Sequence, residues 1–61
     1  MTYEVIGYAD EAAFNAVQFV EIDDGLLNKR EALNLGRSAL VEFPIVKVQS
    51  DDREFIEILR R

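Results

Sequence analysis

The sequence predicts an α+β domain: a β-β-α-β-β chain forming a four-stranded, mainly antiparallel sheet with one helix packed on one face. Three observations carry this. One segment in the middle has helical periodicity with a cap at its start and a proline at its end. Segments on both sides alternate apolar and polar residues and are rich in β-branched types. The chain has only 61 residues, of which 49% are hydrophobic, so residues 1–61 are expected to form one domain with a core and no linker, repeat or low-complexity stretch.

The first strand is read in "TYEVIGYA", where Tyr3, Val5 and Gly7 alternate with Glu4, Ile6 and Tyr8. The next segment is ambiguous. Phe14, Val17 and Val20 can form a helical stripe started by Asp10, but Val17 to Ile22 read better as a strand. "DDGLL" (Asp23 to Leu27) is then the turn leading into the helix.

"NKREALNLGRSALVEF" is the helix. Ala32, Leu33, Leu35, Ala39, Leu40 and Phe43 recur at helical spacing, and Asn28 with Glu31 three residues later forms a capping box. Gly36 inside the run costs about 1 kcal/mol relative to alanine, which implies a close approach to whatever lies beneath. Pro44 disfavours helical geometry at Phe43 and ends the element there or one residue earlier. "PIVKVQS" follows as a strand over Ile45–Gln49.

"SDDREFIEILRR" has three readings: a helix capped by Asp51, the return strand of a hairpin turning at Asp51 and Asp52, or an acidic pair holding a metal. The hairpin is preferred, because a helix would leave the preceding strand poorly covered, whereas two hairpins flanking one helix give four strands. The pairs Asp23–Asp24 and Asp51–Asp52 lack the alternate spacing of a calcium loop, and adjacent acids on a strand point to opposite faces, so turn chemistry is the better account.

Composition narrows function. Twelve acids against seven basic residues give a net charge of −5, which repels nucleic-acid phosphates and suits a basic partner. With no histidine or cysteine, a serine such as Ser38 or Ser50 lacks its usual activating base, so no enzyme activity and no cofactor are expected. Lys29, Arg30 and Arg37 read as the solvated side of the helix. No apolar run is long enough to span a bilayer and the first residues do not form a signal peptide, so a cytoplasmic location is expected.

The count of apolar side chains is the most informative signal. With Val46, Val48, Ile56 and Ile58 placed under the helix, other apolar residues are left on the far side of the sheet. The expected partner-binding surface is therefore that far side, with Phe19, Ile45, Phe55 and Leu59 as anchors and Glu21, Lys47 and Glu57 as rim. Its occupant is a protein target or, in a homodimer, a second copy. Two alternatives stay open. One is a nucleic-acid-associated protein stacking bases on Tyr3, Tyr8, Phe19 or Phe55. The other is a DNA mimic built on Glu21, Asp23, Asp24, Asp51, Asp52 and Glu54.

The run "EALNLGRSALVEFPIVKVQSDDREFIEIL", passing from helix through proline to strand, turn and strand in a small acidic cysteine-free chain, resembles small phage-encoded accessory proteins. That resemblance implies an inhibitor acting in the host cytoplasm by direct occlusion of a host protein or defence complex. It carries over no functional residue.

Overall fold

The computed structural model describes all residues 1–61. The elements in chain order are β1 (Tyr3–Tyr8), α1 (Glu11–Asn15), β2 (Val20–Leu26), α2 (Lys29–Ala39), β3 (Ile45–Ser50) and β4 (Ile56–Arg60). The strands form one sheet in the order β2-β1-β3-β4, and every neighbouring pair is antiparallel. The α+β class and the four strands agree with the sequence reading. The additional short helix α1 does not, and it changes what the far side of the sheet looks like.

Helix α2 forms where its cap predicts. The Asn28 carboxamide oxygen accepts from the Arg30 and Glu31 N–H groups at 2.8 and 3.3 Å, satisfying two of the free donors of the first turn. The regular helix ends at Ala39, earlier than proline alone requires. Turn-type bonds from Leu40, Val41 and Glu42 then carry the chain to Pro44. Gly36 explains how closely α2 approaches the sheet: a Cβ there would lie 2.8 Å from Val48 Cγ2 and 3.1 Å from Leu59 Cδ1. Ala32, also buried, completes this contact with Val5, Val46 and Val48.

The register of the sheet follows from β1, whose two sides are both covered. Val5 pairs with Val48 and Gly7 with Val46, and these face α2. The Phe43 ring rests on Gly7, where a Cβ would meet ring carbons at 2.5–2.9 Å. Ile6 and Tyr8 point the other way and cluster with Ile45, which pairs with Tyr8.

That second cluster is roofed by α1, in a stretch whose sequence reads as either helix or strand, with strand preferred. Asp10 caps the helix, its carboxylate accepting from Ala13 N–H at 2.7 Å, and Ala13 and Phe14 pack onto Ile6, Tyr8 and Ile45. Five residues are far too few for a helix stable on its own. Contact with the sheet holds it. The chain leaves α1 through Val17, a β-branched residue at φ 56°, in the left-handed region that such residues rarely adopt. Strand β2 then begins later than the sequence suggests and takes in Asp23, Asp24 and Gly25, expected as the turn. Register shifts on either side of Val5 accommodate it.

The hairpin reading of the last stretch is correct, but its register is displaced. Ser50 N–H bonds to Phe55 O at 2.9 Å, so the loop spans Asp51–Glu54, and Val46 pairs with Leu59 and Val48 with Glu57. Phe55, Glu57 and Leu59 therefore face α2, whereas Ile56 and Ile58 face away. This corrects the expected assignment. A loop one residue longer or shorter exchanges the two sides of a strand, because side chains alternate with a period of two.

Candidate docking surface

The far face of the sheet consists of three cross-strand rows. The first, Tyr8–Ile45–Arg60, lies under α1. The second runs Glu21–Ile6–Lys47–Ile58, and the third Glu4–Gln49–Ile56. In the first row, the Phe14 ring meets the Tyr8 ring edge-on at 4.9 Å. The Arg60 guanidinium lies 5.2 Å from the Phe14 centroid and pairs with Glu11 at 3.4 Å. Phe19 flanks this row, its ring 6.4 Å from that of Tyr8.

The lower two rows are open to solvent towards β4. Ile56 is 51% exposed and Ile58 38%, and Phe19 at the opposite corner is 51% exposed. Between them the surface is polar. Lys47 and Glu4 are half-buried, and the Gln49 carboxamide is buried, donating through Nε2 to the Glu4 carboxylate while its Oε1 has no partner. Leaving such an acceptor unpaired costs about 1–3 kcal/mol. The uncovered area is thus an apolar strip along one edge and an apolar corner, separated by a polar centre.

Of the seven residues expected to bind a partner, Phe19, Glu21, Ile45 and Lys47 are on the far face. Ile45 is only 2% exposed, buried under α1, so it is core. Phe55 and Leu59 are half-buried against the helix-side cluster, and Glu57 lies opposite Val48 on that side. Sequence reasoning missed Ile56 and Ile58, which it placed under α2. It weighed a helical stripe through Phe14 begun by Asp10 but preferred strand, and so did not place Ala13 and Phe14 as the roof of the far face. Asp10, whose carboxylate accepts from Ala13 N–H, is the cap that the helical alternative required.

The other candidates are also placed. Tyr3 and Phe55 meet edge-on at 6.2 Å on the helix side, with Lys29 Nζ 4.1 Å from the Phe55 centroid. Tyr8 is buried on the opposite side, so the four aromatics do not share a platform. Lys29, Arg30 and Arg37 line one exposed side of α2 with Asn34, whose oxygen accepts from Arg37 at 3.2 Å. Asp52 belongs to the β3–β4 turn. Its carboxylate accepts from Ser50 Oγ at 2.6 Å and from Glu54 N–H at 3.0 Å, and these bonds, Ser50 foremost, hold its pKa below the ordinary 3.8. No three carboxylates converge in an arrangement suited to a metal ion, and no helix is long and apolar enough to cross a membrane.

Comparison with protein-family models, with curated proteins and with solved structures gave no match for this chain.

Proposed function

We propose that the protein is a non-enzymatic binding module that inhibits a partner protein by occluding it, in the manner of phage-encoded anti-host proteins. The observation that supports this reading is the trio Phe19, Ile56 and Ile58, three large apolar side chains left exposed on the one sheet face that α2 does not cover. Isolated apolar residues at a surface are ordinary, but three on one face, interspersed with Glu4, Glu21 and Lys47, have the composition of an interface. The net charge of −5 selects a partner with an apolar patch ringed by basic residues, and such steering weakens with salt.

The test is affinity capture followed by reconstitution of a binary complex from purified components. The wild type should form a stoichiometric complex whose affinity falls as salt rises. The double substitution Phe19→Asp and Ile56→Asp should weaken it at least about tenfold, a loss of about 1.4 kcal/mol. An unchanged affinity in that variant, with its fold intact, would exclude this surface. A complex that strengthens with salt would exclude the basic partner.

A further inference from the structure

The sheet has two free edges, and they are built differently. Strand β2 carries Glu21, Asp23 and Asp24 with no basic residue, includes Gly25 at φ 77°, and pairs with β1 through two register shifts. Charge and irregularity of this kind are what keep an edge from recruiting another strand. Strand β4 has no net charge and no irregularity. It pairs with β3 residue for residue over its whole length, and its exposed side chains include Ile56 and Ile58. Around it, Glu54 and Glu57 are matched by Arg60 and Arg61, so it is an electrically neutral edge on an acidic molecule.

The backbone of β4 is in phase with its side chains. Phe55 O and Arg61 N–H both bond towards β3, to Ser50 and Pro44. By the alternation of an antiparallel ladder, Glu57 and Leu59 also turn their N–H and C=O groups inwards. Ile56, Ile58 and Arg60 turn theirs outwards. The three residues with free backbone groups are therefore those whose side chains lie on the far face.

We infer that β4 is a self-recognition edge: two copies pair it antiparallel about Ile58, joining their sheets into one. In that register Ile58 opposes Ile58 of the second copy, and Ile56 opposes its Arg60. The outward groups then form about six inter-strand hydrogen bonds, the most this strand can offer itself. Centring on Glu57 instead sets that carboxylate against its own copy and forms fewer bonds. On the far face the two Ile58 side chains touch, and each Ile56 lies along the aliphatic stem of the opposing Arg60. The Arg60 guanidinium itself stays with Glu11 and Phe14 of its own copy.

The free backbone groups of this edge carry no charge for the proposed basic partner to recognise, whereas a two-fold partner needs a patch that complements itself, and this one does. The pairing closes on itself as well. The dimer has only the acidic, irregular β2 at its two ends, so growth stops at two. The contact is confined to one short strand, which places it among small, weak interfaces, with association expected at roughly 100 μM and above.

The experiment is sedimentation equilibrium from about 10 μM to 1 mM, with amide hydrogen exchange read by NMR at both ends of that range. The weight-average mass should rise towards twice that of the monomer. The rise should be greater in high salt, because screening removes the repulsion between two acidic copies. Over the same range the amides of Ile56, Ile58 and Arg60 should gain at least about tenfold protection, while those of Glu57 and Leu59, already bonded within the sheet, stay as they were. The variant Ile58→Lys should remain monomeric with an unchanged amide fingerprint. If it fails to fold, the wild-type amides still decide.

A monomer at every concentration overturns the inference. So does a dimer in which those three amides exchange as fast as before, since that dimer would be stacked through a face. Phe19 is remote from this edge, so Phe19→Asp should leave self-association untouched while weakening the proposed partner complex. Opposite responses to salt separate the two interactions again.

Discussion

The two faces of the sheet are closed by helices of very different extent, and the contrast shows which parts of this chain are fixed and which are adjustable. On one face an eleven-residue helix, drawn in by Gly36, buries Val5, Val46 and Val48 without exposure. On the other, a five-residue helix covers only Ile6, Tyr8 and Ile45 and leaves the β4 side bare. The first contact sets the register. The second has room to vary.

The contrast is sharpest in a comparison of isoleucines. Ile45→Ala should cost about 2–5 kcal/mol, because it opens a cavity beneath α1, whereas Ile58→Ala on the same face should cost below about 1 kcal/mol. Chemical denaturation measures both. Equal losses would mean that α1 roofs nothing. Next is Gly7→Ala on the helix side, expected to cost about 1–3 kcal/mol because the Phe43 ring must move aside. A double-mutant cycle between Tyr8 and Phe14 should then return a coupling of about 0.5–1.5 kcal/mol, the value of one edge-on aromatic pair. Val17→Gly should act in the opposite direction and stabilise by up to about 1 kcal/mol, since glycine enters the left-handed region without strain.

The smallest effect concerns acid. A carboxyl whose folded pKa is depressed stabilises the fold above its unfolded value and loses that contribution as pH falls through the folded one. For Asp52 the loss should therefore begin near pH 3.8 and proceed below it, and Asp52→Asn should flatten the stability profile in that range. Denaturation midpoints taken from pH 5 to pH 2 provide the check.

The parts readable from sequence were those whose cause is local. Asn28 caps α2, Pro44 separates it from β3, and Val46 with Val48 displays the alternation of a strand, all within a few residues. The failures share a non-local cause. Asp10 followed by Glu11, Ala12 and Ala13 does signal a helix start, but five residues cannot hold a helix alone, and what decides for α1 is the Tyr8 and Ile45 surface beneath it. The sides of β4 were exchanged because the loop runs from Asp51 to Glu54, its closure depending on a Ser50 hydroxyl that accepts from Phe55 N–H while donating to Asp52. That displacement moved Phe55 and Leu59 into the core and brought Ile56 and Ile58 to the surface, so the far face was correctly expected to expose apolar residues, but partly the wrong ones.

Arg60 joins the last strand to the first helix through both Glu11 and Phe14. During synthesis, Ile6 and Tyr8 are made more than fifty residues before the arginine that helps shelter them, and well before Ile45, their partner in the cluster. These two early apolar residues therefore stay unshielded until Ile45 and Arg60 have been made. Synthesis from Tyr8 to Arg60 takes a few seconds at ordinary elongation rates of roughly 5–20 residues per second.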